Sequence, residues 1–175
     1  IHKVAQDCDL VLSSAGVSVG EEDHVKPAVE QQGEMNLWMI SMKPGKPFAY
    51  GKVWRNGKDA SQGVAHFMGL PGNPVSSFIT FLLLVRPFVL RLQGMQDVAP
   101  KAIEVQAQFE WLKKEKRREF LRARHTGNGG LALFGNQGSG VLTSTVWGDG
   151  LIDNPPLTQI QRGDTVRFIP FTELM

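Results

Sequence analysis

Apolar and polar positions follow two different rhythms along this chain, and the change falls near residue 94. Residues 9–14 (DLVLSS) form a short apolar run ending in small side chains, which predicts a buried strand opening into a loop. Gly and small residues dominate the loop, and a helix is predicted over 25–32, stopped by Gly33. Residues 35–41 and 48–54 read as strands on either side of a Pro- and Gly-fixed turn. Arg55-Asn56-Gly57-Lys58 reads as a second turn and 63–70 as a further strand. A long apolar helix then starts with Asn73 as N-cap and Pro74 at the first helical position. It bends near Pro87 and ends near Gly94. A polar linker over 95–101 follows, and beyond it only short strands between Gly-rich turns are predicted, over 102–111, 119–126, 131–134, 141–146 and 165–169. The expected fold class is therefore α/β, a layered unit over residues 1–95 with its functional loops at strand C-termini, followed by a small all-β domain over 101–175.

Composition narrows the picture. With 175 residues, 42% hydrophobic and 21% charged, the chain can build a core and is not disordered. A formal charge of +2 is too small to argue for nucleic acid or a membrane surface, and neither partner is expected. The single cysteine, Cys8, cannot form an internal disulfide, and IHKVAQDCDL lacks the apolar core of a signal peptide, so a cytoplasmic setting is expected. Residues 75–92 invite a membrane reading, but Arg86 and Arg91 interrupt them. A charge near the bilayer centre costs roughly 3 kcal/mol, so a half-buried amphipathic helix is the better expectation. The chain opens without Met, as if inside a helix that feeds a strand. A piece of a longer polypeptide is expected, a processed terminus being the alternative.

Four segments could carry chemistry. In SSAGVSVGEED (residues 13–23) a Gly-rich turn after a buried strand leaves backbone N–H groups free to hold an anion. Gly16 and Gly20 permit close approach of phosphate, and Ser14 and Ser18 add hydroxyl donors. Asp23, at the helix entrance, can cap the helix or hold a divalent metal. The segment matches neither the P-loop nor the dinucleotide fingerprint. In KPGKP (residues 43–47) two prolines and a glycine hold Lys43 and Lys46 at a fixed spacing suited to a small oxyanion; a stiffened turn with solvated lysines is the plainer alternative. In LPGNPVS (residues 70–76) a strand again meets a helix N-terminus, which carries partial positive charge, with Ser76 in its first turn. The basic run Lys113 to Arg124 reads as a solvated hairpin from which one or two arginines reach an anionic ligand. The four histidines form no metal pattern, and no Gly-x-Ser-x-Gly elbow is present.

Together with GNQGSG (residues 135–140) and WGDGLI (residues 147–152), these segments resemble the MoeA and gephyrin E-domain family of molybdopterin molybdenumtransferases, in order and spacing over nearly all the chain. The resemblance implies the rear part of a molybdopterin-binding, MogA-like layered domain and a C-terminal β domain. It implies an enzyme that inserts molybdate into adenylylated molybdopterin with release of AMP, assisted by Mg²⁺. It further implies a homodimer in the full-length protein and contact with the molybdopterin adenylyltransferase. By motif, Asp23 is similar to the family's functional aspartate, for catalysis and metal. Lys43, Lys46, Pro47 and Ser76, with Pro71, Gly72, Asn73 and Pro74 around it, resemble the molybdate-side loops, and Arg117 and Ser139 resemble residues that contact the oxyanion. Such a pocket would supply fixed cations and helix N-termini to a dianion.

Departures accompany the match. Ala15 stands where many relatives have Gly, and Met39 where some carry Lys. The front of the α/β domain is absent, so the segment is expected to be inactive alone. A non-catalytic molybdopterin-binding or scaffold module is the alternative, against which the joint presence of Asp23, Lys43 and Lys46 argues. An adenylylating relative would lack KPGKP and the β domain.

Overall fold

The computed structural model describes residues 1–15, 24–56 and 59–175. Helix α1 (His2–Asp7) leads into strand β1 (Leu10–Ser14), and helix α2 (Val25–Glu30) into β2 (Gly33–Met39). A two-residue strand, β3 (Met42–Lys43), precedes β4 (Pro47–Trp54) and β5 (Val64–Leu70). The first sheet has the order β1-β5-β4-β2, with β1 and β5 parallel and the other pairs antiparallel. Strand side chains alternate between faces, so Ala49, Val53, Ala65 and Phe67 form one core with Ala5 of α1 and Val29 of α2. Phe48, Met68 and Leu70 point the other way and pack with Val85.

That second face is covered by a continuous helical run of α3 (Pro74–Thr80), a π-helical segment (Phe81–Val85) and α4 (Arg86–Leu92). The bend expected near Pro87 takes the form of the π segment. Proline lacks an N–H and crowds the preceding turn, and here the Arg86 N–H reaches back five residues to the Phe81 carbonyl. The run Pro74–Leu92 is long and apolar enough to cross a membrane by length and composition. Here its Val75, Ile79, Leu82 and Val85 are buried against protein. Tyr50 Oη and His66 Nδ1 lie 2.8 Å apart, and Phe88 of α4 sets its edge on the His66 ring at 4.9 Å.

The second half contains β6 (Ile103–Gln106), β7 (Arg118–His125), β8 (Leu131–Leu133), the short helix α5 (Thr143–Trp147), β9 (Gly150–Asn154) and β10 (Thr165–Pro170). Its sheet runs β3-β7-β9-β10-β6, with β8 paired to β7. One core lies within this half, around Leu121, Leu131, Ile152 and Phe168. Another straddles the two halves: Met42, Val75, Ile79 and Leu82 pack with Phe120, Leu151, Ile169, Phe171 and Leu174. Strand β3 also crosses, pairing in parallel with Arg118 and Glu119.

Two expectations in this half are corrected. Residues 141–146 were expected as a strand, and the structure has α5 there. The Ser144 and Thr145 hydroxyls donate to the carbonyls of Val141 (2.6 Å) and Leu142 (2.7 Å), closing a helical turn that overrides the β-branched composition. The completely buried strand β9 was not among the predicted strands; glycine, aspartate and asparagine, which strands ordinarily disfavour, make up three of its five residues. Gly150 is required there: a Cβ would press on the Ile169 carbonyl and the Phe168 ring.

Candidate functional site

At the seam between the halves lies a cleft of about 620 Å³. Its walls come from four segments quoted in the sequence, the last of them the GNQGSG loop after β8. The first wall is Lys43 to Pro47, the second Pro71, Gly72, Asn73 and Ser76, the third Arg117, and the fourth Gln137, Gly138 and Ser139.

Each wall is fixed locally. Lys43 ends β3, its peptide bond to Pro44 is cis, and Gly45 at φ +108° takes a conformation that a side chain would strain. The loop is closed by the Ile40 N–H donating to the Lys46 carbonyl at 2.8 Å. Beneath Gly45 lies the Thr80 hydroxyl, fully buried and without a hydrogen-bond partner among the described residues. The second wall is the start of α3, but the Val75 N–H is already engaged, donating to the Ser139 carbonyl at 3.1 Å. This bond joins the second wall to the fourth. Ser76 is only 2% exposed, so it serves as floor.

The fourth wall is held by side chains that imitate a strand. Gln137 Oε1 accepts from the Arg122 N–H at 2.9 Å, and Gln137 Nε2 donates to the Arg122 carbonyl at 2.9 Å. The Arg122 guanidinium is fully buried and donates to the Gly138 carbonyl (3.2 Å), the Phe120 carbonyl (3.2 Å) and Ser144 Oγ (3.1 Å). Burial lowers its pKa to about 10, still far above neutrality, so a positive charge sits behind the loop that carries Ser139.

The cations differ in what they already hold. Lys43 Nζ lies 3.4 Å from Glu115 Oε2 and 3.4 Å from Glu119 Oε1, a carboxylate only 1% exposed. The second contact is ionic rather than a geometric hydrogen bond. Glu119 is otherwise tied by Trp111 Nε1 at 2.7 Å. Arg117 grips Glu115 through Nη2 (3.1 Å) and Nε (3.3 Å). Hydrogen bonds from Arg117, opposed by some burial and reinforced by Lys43, lower the Glu115 pKa to about 2. No hydrogen bond or ion pair engages the Lys46 side chain among the described residues.

The sequence reading is thus brought together for Lys43, Lys46, Pro47, Pro71, Gly72, Asn73, Ser76, Arg117 and Ser139. Two members of the set stand apart. Pro74 occupies the first helical position outside the lining, and Ser14 pairs its hydroxyl with Ser77 Oγ at 3.3 Å. Gly16, Ser18, Gly20 and Asp23 lie outside the described residues. Pro44, Gly45, Gln137 and Gly138, quoted within the KPGKP and GNQGSG motifs but given no binding role there, also line the cleft, and Glu115 and Arg122 lie behind it. The basic run is divided among separate tasks: besides Arg117, Arg118 binds Asp153 at 2.9 Å and Arg124 lies over the Trp147 ring at 4.4 Å.

A layered α/β unit, a β appendage and a cleft with three cations in its described lining define the class: two packed halves with a polar pocket at their seam. Known proteins narrow that class. Residues 1–91 match the family described as a probable molybdopterin binding domain, and residues 104–171 match the MoeA C-terminal region (domain IV). A molybdopterin molybdenumtransferase of Haemophilus influenzae is 36% identical over 173 residues, 95% of this chain and 41% of that protein. The molybdenum cofactor synthesis protein cinnamon of Drosophila melanogaster is 34% identical over 158 residues, 86% of this chain and 24% of that protein. The solved MoeA structure of Pyrococcus horikoshii superposes with a TM-score of 0.68 at 28% identity, covering 93% of this chain and 37% of that one. The chain belongs to the MoeA and gephyrin family. It spans less than half the length of these relatives.

Proposed function

We propose that the cleft is the molybdate-side pocket of a molybdopterin molybdenumtransferase, in which molybdate is held while it is inserted into adenylylated molybdopterin and AMP is released. The observation that carries this reading is the convergence of Lys43, Lys46, Arg117, Ser76 and Ser139 on one cleft from four separate segments. Molybdate is a tetrahedral dianion. Charge-assisted donors on stiff loops suit it, because little ordering is needed when it binds. The volume exceeds what a four-oxygen anion fills, leaving room for the pterin side of the substrate.

In the reaction the chain's own residues bind and orient. Lys46 offers its free ammonium group, Arg117 its planar donors and Ser139 its hydroxyl to the oxo groups, while Arg122 adds positive potential from behind. The described lining is cationic and neutral, a donor set that does not suit a divalent cation, and the described residues hold no group of three or more His, Cys, Asp or Glu that could bind a metal. No step is therefore assigned to Mg²⁺. Asp23 remains its proposed ligand and catalytic aspartate, by resemblance alone. Action as a homodimer within a longer protein, in the cytoplasm and in exchange with the molybdopterin adenylyltransferase, belongs to the same proposal.

The test is calorimetric titration with sodium molybdate. Lys46→Ala should weaken binding about tenfold, the equivalent of one charge-assisted contact, with the fold unchanged by circular dichroism. Wild-type affinity in both Lys46→Ala and Arg117→Ala would remove the cleft from molybdate handling.

A further inference from the structure

We propose that Glu115 is the cleft's resident counter-anion, a tethered carboxylate that an incoming oxyanion displaces from Lys43 and Arg117 and that thereby selects dianions over monoanions. The inference rests on the reading of the cleft as an oxyanion pocket and deepens it.

The contacts already described place a carboxylate on two of the three cations that line the cleft, while the third, Lys46, is left without one. Glu115 also accepts from the Arg117 backbone N–H at 3.4 Å, so it takes the place of an anion on both the side chain and the amide of Arg117. Its own backbone is anchored, since its carbonyl accepts from the Leu157 N–H at 2.7 Å. Its side chain is 23% exposed, so it has a way out to water. Displacement therefore needs only a side-chain rotation, with no movement of the chain.

A tethered group competes at high effective concentration. A free monocarboxylate reproduces the contacts of Glu115 and gains nothing by replacing it. A tetrahedral dianion carries a second charge and further acceptor oxygens. These reach Lys46, with which Glu115 has no ion pair, and Ser139 on the opposite wall. Loss of the carboxylate charge should thus raise affinity, the reverse of what a supporting residue would do. Glu119, which also touches Lys43, is buried and tied to Trp111, and stays in place.

Calorimetry on the full chain with sodium molybdate, and separately with sodium acetate, tests this. Glu115→Gln keeps the shape and removes the charge; Glu115→Ala guards against a misplaced amide. Both should bind molybdate about tenfold more tightly than wild type and should acquire measurable acetate binding, with unaltered circular dichroism. Unchanged or weaker molybdate affinity in Glu115→Gln would overturn the proposal and make Glu115 a support for the two cations. Failure of the pocket reading looks different: molybdate would then bind neither wild type nor any variant, or would ignore Lys46→Ala and Arg117→Ala.

Discussion

Lys43 and Lys46 stand three positions apart in one rigid turn and look interchangeable in the sequence, yet the structure gives them different work. Lys43 balances Glu119 Oε1, a buried oxygen with no hydrogen-bond partner among the described residues. Lys43→Ala should therefore destabilise the fold by about 1–3 kcal/mol, measured by urea denaturation, whereas Lys46→Ala should cost almost nothing. A double substitution would mix stability with affinity. The Glu115 carboxyl offers a second check. Its pKa, lowered to about 2, means that the folded state holds this proton less readily than the unfolded chain does. The stabilisation is present above the ordinary glutamate value of about 4.5 and is lost as pH falls through about 2. Carbon-detected NMR should find its titration midpoint near 2, and Arg117→Ala should return it toward the ordinary value. At this scale the sequence was legible where proline and glycine announce a fixed turn. It was silent on Arg122 and Glu115, because a basic hairpin looks the same whether a given side chain faces water or core. Arg122 and Arg124 are two apart on β7, which alternation alone would treat alike; tertiary packing buried the first and laid the second on Trp147.

Among the elements, β4 and β5 were readable because their apolar side chains pack on both faces of the sheet, whereas β1, expected to be buried, is an edge strand with Leu12 43% exposed. Strand β9 was hidden for the opposite reason: five consecutive buried residues that include glycine, aspartate and asparagine. Its polar members are paid for by tertiary partners, with Arg118 and Arg167 on Asp153 and Thr158 and Glu119 on Asn154. No local pattern records such partners. Gly150→Val should consequently disrupt the β9–β10 pairing and cost more than about 3 kcal/mol, visible as a fall in the urea midpoint. Ala15, whose φ of +68° lies in the left-handed region, is the converse case. Ala15→Gly should relieve about 1 kcal/mol of backbone strain, and a rise in melting temperature would register it.

For the molecule as a whole, the division into a layered unit and a β unit was legible, but the joint between them was not. Linker composition marks where a chain passes from one unit to the next. It does not reveal that residues 42–43 return as a strand of the second sheet, or that α3 contributes Val75 and Ile79 to a core shared with Phe171 and Leu174. Phe171 meets Phe78 edge to face at 5.8 Å across that joint. Phe171→Ala should cost about 3–5 kcal/mol, and the fluorescence and circular dichroism transitions should shift together, because the core that is weakened is common to both halves.

The single backbone bond from Val75 to the Ser139 carbonyl has one more implication. It fastens opposite banks of the cleft, so guest occupancy and cohesion of the host are thermodynamically linked. At a hundredfold excess over its dissociation constant a bound guest adds about 2.7 kcal/mol to folding. By the same reciprocity, a substitution that merely loosens the joint weakens binding at a distance. Some variants will therefore show impaired affinity although they have never touched the guest.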